Sequence, residues 1–453
     1  MTGLPTRAAW TAYTAWRAKG DERLPFRPLD TILAARGRRV RSIVRHAAAT
    51  VPHYREAMRA AGLRPEDVRG ADDLAALPLV SGDDLAAAPE RFASDRYPAA
   101  ATLALRSSGT GGRPKTVRYQ PAALFTALAH GRRQRAVLAH FVGRRAGYRE
   151  MSVQRRRSVA EQLRGFYEEH AWVPRSLDLQ RTVLPVDAGF DAAVARIDDF
   201  RPDVIFGYGS FLGALFRRAH ESGRRLHRPR VLWYGADAMA AADRELIEGT
   251  LGIPVVSTYQ ADEALRLGFQ CEERRGFHLA LDDVAVRVVD DRGRTVGPGE
   301  SGEIVLSNLT NRATVLLNYR LGDRVTLAAE PCPCGRTLPT LARIEGRADD
   351  LVVLPDGDVR HPISLLHALQ AVPGVVRVQV VQEELARFTL RAVCAAGTDW
   401  PPTAERLRRV LAESLGPPAA RDGLHVEAIR VEEIPREPGG KVRAVISRCR
   451  RPA

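Results

Sequence analysis

Lysine is nearly missing from this chain. Of its 68 basic residues only Lys19, Lys115 and Lys441 are lysines, and the rest are arginine. A chain that uses arginine for almost every generic positive charge marks its remaining lysines as candidates for tasks needing a compact ammonium instead of a planar fork. Lys19 lies in a polar N-terminal stretch and reads as chance retention. Long apolar runs are also absent. No stretch of 18 apolar residues occurs, so no transmembrane helix and no membrane partner are expected. The segment Met1–Ala9 lacks a hydrophobic core with a cleavage site, so no secretory leader is expected and a cytoplasmic location is. Cysteine is scarce and odd in number, five in 453 residues, which argues against a disulfide framework. Nowhere does Gly-Lys-Ser/Thr occur, which excludes the Walker phosphate loop. With 45% apolar and 27% charged residues, the composition is that of an ordinary globular protein, not of a disordered, collagenous or coiled-coil chain.

What is present reads as an α/β protein. The length suggests about two to four domains. Residues 1–100 read as helices and connectors. Asp203–Tyr208, Arg230–Gly235 and Pro254–Tyr259 read as buried strands, separated by helices over Phe211–Ser222 and Ala240–Leu251. Strand–helix alternation predicts a parallel sheet, whose ligands sit at the carboxyl ends of the strands, just after Phe206, Tyr234 and Tyr259. From His278 to about Leu327 the pattern becomes antiparallel β, with an acidic turn at Asp290–Arg294. The pattern begins again near Gly346–Asp350. The expectation is a large domain over 1–347, with parallel-rich sheets and a β subdomain, and a small mobile α+β domain over 348–453.

Two lysines sit in glycine-rich settings. Ser107-Ser108-Gly109-Thr110-Gly111-Gly112-Arg113-Pro114-Lys115 offers small residues whose amides can wrap an anion, with hydroxyls and an ammonium to complete the cradle. Pro435–Arg443 carries Lys441 on a Gly-Gly turn. Between them, in order, stand Gly235-Ala236-Asp237, Tyr259-Gln260-Ala261-Asp262-Glu263, Tyr319-Arg320-Leu321-Gly322-Asp323 and Gly346-Arg347-Ala348-Asp349-Asp350. Together these resemble the ordered motifs of the adenylate-forming (acyl-activating) superfamily. The resemblance implies that Ser107, Ser108, Gly109, Thr110, Gly112 and Lys115 hold the phosphates of ATP. It implies that Gly235, Ala236, Asp237 and Tyr259 lie by the adenine, that Asp323 and Arg347 hold the ribose, and that Glu263 helps hold Mg²⁺. Asp349 would be the hinge and Lys441 the catalytic lysine. The acid would lie against Tyr208, Tyr234 and Ala236, where apolar walls and small residues suit an aryl or arylalkyl group.

The nearest branch resembles the phenylacetate–coenzyme A ligases, on Gln270-Cys271, His278 and Pro331-Cys332-Pro333-Cys334-Gly335. Three thiols and an imidazole suit a closed, structural tetrahedral zinc at Cys271, His278, Cys332 and Cys334; three reduced buried cysteines beside a satisfied histidine is the alternative. The implied activity is ATP-dependent acyl-adenylate formation followed by transfer to coenzyme A. An amine acceptor giving an amide, and an oxyanion that is not a carboxylate, remain as alternatives. A homodimer is compatible with all of these. Several positions depart from the family. Gly111 stands for a threonine, Gln260 for a glycine, Asp262 for a hydroxyl residue and Leu321 for a threonine. Gly357–Pro362 departs from the branch's Gly-x-x-x-Phe-Pro loop. Finally, Arg132–Arg157 holds nine arginines and one acidic residue, Glu150. It reads first as a solvated helical face, then as an anion site for an acceptor such as coenzyme A, and last as the nucleic-acid surface of a non-enzymatic binding module. No nucleic-acid partner is expected.

Overall fold

The computed structural model describes residues 4–107, 115–154, 158–172, 180–186, 188–347, 352–354, 359–360, 362–415, 423–435 and 442–449. Two compact units emerge. One comprises Met1–Gly207, His227–Gly235 and Ile253–Ile344; the other comprises Tyr208–Leu226, Ala236–Gly252 and Glu345–Ala453. No helix among the described residues is long and apolar enough to cross a membrane.

The parallel strands form where continuous apolar runs called for them. Val231–Gly235 pairs in parallel with Val255–Tyr259, and both strands are buried along their whole length. Arg149–Gln154 pairs in parallel with Gln180–Pro185 on one side and Val204–Tyr208 on the other. Burial on both faces explains why Val204–Tyr208, Val231–Gly235 and Val255–Tyr259 read as apolar runs without alternation. The antiparallel region is continuous with them, not a separate sheet. Tyr259 pairs with Gly268 antiparallel, and from there the sheet runs through Phe277–Leu279, Thr340–Arg347, Tyr319–Leu327 and Ser301–Asn308 to Val284–Val289, eleven strands in all. The turn expected at Asp290–Arg294 forms. The Asp290 carboxylate accepts from the amides of Arg292 at 3.0 Å and Arg294 at 2.9 Å, and Gly293 takes φ 77°.

The helix Pro121–Val142 covers this sheet. Proline at its first position and Gly143 at φ 79° after its end set its limits. It buries Leu124, Phe125, Val137 and Leu138, and also His130, Arg133 and Gln134. A hairpin of Leu103–Ser107 and Lys115–Tyr119, with Ser107 opposite Lys115, brackets the glycine-rich loop.

In the second unit a four-stranded sheet, in the order His425–Arg430, Arg387–Cys394, Val375–Glu384, Val445–Ser447, packs against helices Pro362–Gln370 and Trp400–Leu415. Thr403, Leu407, Leu411 and Leu415 give the second helix its buried stripe at helical spacing. The same unit holds a contact that sequence patterning did not signal. Arg377 donates through Nη2 to Asp243 Oδ2 at 2.9 Å and through Nη1 to the Ser210 carbonyl at 3.3 Å, while Arg217 Nε donates to Asp243 Oδ1 at 3.0 Å. Asp243 is fully buried, and a Cβ on Gly213 would lie 2.4 Å from its Oδ2, so only glycine fits there. The helix expected over 240–251 is α-helical only over Ala241–Glu245. It then widens to a π-turn, with the Leu251 amide bonded to the Leu246 carbonyl five residues back.

Candidate active site and metal centre

Lys115 emerges from the glycine-rich loop at the first position of its strand. Its side chain turns inward and is only 10% exposed. Its Nζ donates to Glu263 Oε1 at 2.7 Å and to the Tyr319 hydroxyl at 3.0 Å, and that hydroxyl donates in turn to the same Glu263 oxygen at 3.0 Å. Burial alone would raise the Glu263 carboxyl. The Lys115 ammonium beside it and the Tyr319 hydroxyl outweigh burial and hold it below the ordinary value. Two residues assigned by resemblance to phosphate and Mg²⁺ thus meet directly. Tyr319, which opened a quoted motif without a role of its own, joins them. Only the packing of the loop hairpin, a sheet of its own, against the Tyr319–Leu327 strand could have revealed it.

Four residues from Glu263 and from Tyr319 respectively, Tyr259 and Asp323 also meet: the Tyr259 hydroxyl donates to Asp323 Oδ2 at 2.6 Å. The tyrosine expected near adenine and the aspartate expected on the ribose are therefore neighbours. Gly235 ends its strand so close to the next that a Cβ would lie 3.0 Å from Thr258 Oγ1. Ala236 adopts φ 70°, unusual for a residue with a side chain. The Asp237 carboxylate accepts from the Ser210 amide at 3.2 Å and from its hydroxyl. Gly235 and Tyr234 belong to the first unit, and Tyr208, Ala236 and Asp237 to the second. Tyr234 is buried and Tyr208 half-buried. Ser107 and Arg347 end strands, but their side chains lie outside the described residues, as do Ser108, Gly109, Thr110, Gly112, Asp349 and Lys441 altogether.

The cysteine–histidine quartet does converge. One donor atom from each of Cys271, His278, Cys332 and Cys334 lies within 4.8 Å of all the others. The Cys271 and Cys332 sulfurs are 3.6 Å apart, and Cys334 Sγ is 3.3 Å from His278 Nε2. His278 Nδ1 donates to the Leu338 carbonyl at 3.1 Å, which fixes the tautomer and leaves Nε2 as the lone-pair donor. Burial drives His278 down to about 4, so the imidazole is neutral, and pushes the Cys271 thiol up to about 12. Burial opposes ionisation of Cys334 as well, yet Arg336 brings it below its ordinary value. The donor set fits zinc: soft sulfurs gathered in one place, one oriented imidazole and a cationic neighbour.

The arginine run is a solvated face only in part: Arg133 and Arg135 turn inward, whereas the Arg144 and Arg145 side chains are 52% and 74% exposed, and residues 155–157 lie outside the described residues. Arg133 is 3% exposed and grips Asp282 through both terminal nitrogens at 2.9 Å, with Asp21 at 3.3 Å. Arg135 pairs with Glu150 at 3.0 Å, Arg144 with Asp203 at 2.7 Å, Arg132 with Glu22 at 3.4 Å and Arg145 with Glu22 at 2.7 Å. Acidic residues, all but Glu150 from outside the run, pair with these five arginines. Asp21, His130 and Asp282 also sit close enough together to suggest metal ligands. Arg133 already supplies their counter-charge, and His130 Nε2 lies 2.9 Å from Asp283, so this is a buried ion-pair network.

No protein-family model matches the chain. Among curated proteins, the phenylacetate–coenzyme A ligase of Thermus thermophilus is 30% identical over 368 residues, 77% of each chain. That of Escherichia coli is 28% identical over 343 residues, 72% of this chain and 73% of its own. Among solved structures, 2-hydroxyisobutyryl-CoA ligase in the postadenylation state superposes with a TM-score of 0.72 at 20% identity, covering 94% of this chain and 91% of the other. The amide bond synthetase McbA from Marinactinospora thermotolerans gives 0.52 at 18% identity, over 76% and 69%. The sequence motifs, the continuous mixed sheet and these relatives agree: the chain belongs to the phenylacetate–coenzyme A ligase branch of the adenylate-forming ligases.

Proposed function

We propose that this enzyme activates a carboxylic acid of the aryl or arylalkyl class with ATP and passes the acyl group to coenzyme A. A carboxylate oxygen attacks the α-phosphorus, the bond from that phosphorus to the bridging oxygen breaks, and pyrophosphate leaves. The coenzyme A thiolate then attacks the acyl carbon and AMP departs. The protein's task is positioning and charge neutralisation. The observation that carries this reading is the buried Lys115–Glu263–Tyr319 cluster beside the Tyr259–Asp323 bond, at the end of the Val255–Tyr259 strand. Lys115 and the loop before it would receive the phosphates. Glu263 would exchange Lys115 for Mg²⁺ once a nucleotide brings its own negative charge. Asp323 would hold ribose hydroxyls. Cys271, His278, Cys332 and Cys334 would hold a zinc ion with a structural task, tying the strand Phe277–Leu279 to the Cys332–Cys334 knuckle. The test is pyrophosphate release over a panel of acids, with and without coenzyme A. Acid-dependent release without thioester formation would favour the amine acceptor, a reading supported by the departure at Gly357–Pro362 from the branch's loop.

Two expectations follow from these assignments. Elemental analysis should find about one zinc per chain, and Cys332→Ser should lower the melting temperature more than Cys394→Ser, because only the former removes a ligand. Purified active protein without zinc would refute the assignment. Asp349→Pro fixes φ near −65° and deletes an amide donor. If Asp349 is the hinge for rotation between half-reactions, thioester formation should fall at least about tenfold while pyrophosphate release is largely kept. Equal losses in both steps would make Asp349 merely structural.

A further inference from the structure

The strand Val375–Glu384 carries two buried polar residues, Arg377 and Gln379, on one face. Gln379 is 1% exposed. Its Oε1 accepts from Nη1 of Arg391, directly across the ladder, at 2.8 Å, and its Nε2 donates to the Arg443 carbonyl at 2.7 Å. A guanidinium only donates and a carbonyl only accepts, so the two neighbours fix which way the amide lies. The main chain repeats the hold. The Val380 amide donates to the Ala444 carbonyl at 2.9 Å, and Val445–Ser447 then pairs in parallel with Val380–Gln382. Arg443 follows Lys441 by two residues in the sequence. The chain is thus pinned from Arg443 onward, by side chain and by main chain, to the strand Val375–Glu384.

Arg377 fixes the same strand two residues earlier. Its guanidinium divides between the Asp243 carboxylate and the Ser210 carbonyl, and the Ser210 amide and hydroxyl donate to Asp237. Asp243 already has Arg217 on its other oxygen, so neutralising that carboxylate does not by itself call for a second arginine. Holding the strand does. A path of polar contacts therefore runs from Asp237, in the motif expected beside adenine, through Ser210, Arg377 and Gln379 to the Arg443 carbonyl. It lies wholly within the second unit. Ser210, Asp243, Arg377 and Gln379 are all buried, so water is not at hand to replace a contact that is removed.

We propose that Arg377 and Gln379 are positioning residues for Lys441. Arg377 clasps the strand to Ser210 and Asp243, Gln379 ties the chain that follows Lys441 to that strand, and together they set the place from which the ammonium acts in adenylation. The inference rests on the proposed acid activation and on the role that the family resemblance implies for Lys441. A catalytic group works only when held in the productive geometry, so loosening either tie lowers the rate without removing the group.

The experiment is a mutant cycle on the full chain. It reads pyrophosphate release at saturating ATP with phenylacetate, or with whichever acid of the panel releases most. Arg377→Met should lower kcat at least about tenfold and leave KM for ATP within about threefold of wild type, because the loss falls on the placement of a group and not on nucleotide binding. In a Lys441→Ala background the same substitution should cost less than about threefold, since a residue acting through another adds little once that other is gone. An unchanged kcat overturns the inference while leaving acid activation standing. So does a loss of the same size in both backgrounds, which marks a merely structural contact, and so does near-normal release by Lys441→Ala alone. Should Arg377→Met not fold, Gln379→Glu is read by the same cycle; it keeps a partner for Arg391 and removes the donor to the Arg443 carbonyl. Failure of both variants to fold overturns the inference as well. Absence of release by wild type with every acid would instead sink the proposed activity, and this inference with it.

Discussion

Lys441→Ala should cut acid-dependent pyrophosphate release by on the order of 10²-fold or more, because one preorganised charge at a transition state is worth about 3–4 kcal/mol. ATP affinity should change far less, since the role that the family resemblance implies for Lys441 places its charge where negative charge would develop on the α-phosphate and the attacking oxygen, not where the ground-state nucleotide would be held. The composition sharpens the test. With only three lysines in 453 residues, the chain keeps this lysine directly after two glycines in sequence, against a strong bias to arginine. Lys441→Arg preserves the charge but replaces a compact ammonium with a wide planar fork, and it too should remain well below wild type. Near-normal adenylation by the alanine variant would remove Lys441 from the chemistry. Full rescue by arginine would show that any cation serves.

Glu263→Gln should be the most damaging single substitution in the described part of the site. The Lys115 and Glu263 side chains are 10% and 7% exposed, so water screens their ion pair poorly. Removing the carboxylate charge leaves a buried ammonium without its counter-ion, and losses of about 3–5 kcal/mol are usual for such a break. That is a large share of the net stability of about 5–15 kcal/mol of a folded domain. A denaturation midpoint measured with Lys115→Met, Glu263→Gln and the double variant separates pair from parts. The double variant should be less destabilised than the sum of the singles, because it leaves no orphaned charge. Strict additivity would mean that the two groups do not interact. The pH dependence has a defined sign. The Glu263 carboxyl is held below its ordinary value of 4.5, so its stabilisation is complete above that pH and is lost as pH falls through the folded value. The stability gap between wild type and Glu263→Gln should therefore narrow on acidification below about 4.5 and stay constant above it.

The parallel core was legible because burial on both faces writes itself as continuous apolar runs, and Val255–Tyr259 and Val231–Gly235 sit within a residue of where those runs predicted them. The quartet of Cys271, His278, Cys332 and Cys334 was legible because soft ligands are rare in this chain and cluster in sequence. Bonds between motifs were not. Nothing in the spacing of Tyr259 and Asp323, or of Lys115, Glu263 and Tyr319, says that these side chains touch, because they are brought together only by tertiary packing of segments distant in sequence. The inward-facing part of the arginine run was illegible for the same reason. Periodicity describes one helix face, whereas Arg133 is buried by carboxylates that lie 112 and 149 residues away. Arg377 looked like any strand arginine until Asp243 and Ser210 appeared at its tip.

The Arg133 junction also bears on the order of assembly during translation. Asp21 closes the helix Leu4–Asp21, Arg133 lies in the helix Pro121–Val142 and Asp282 just precedes the strand Val284–Val289. At about 5–20 residues per second, the ribosome makes Asp282 roughly 13 to 52 s after Asp21. For that interval the first helix can lie against the nascent layer, but its acidic end has no complete set of partners to be buried with. The N-terminal helix is therefore a late seal: made first, it is locked only when the middle of the chain has emerged.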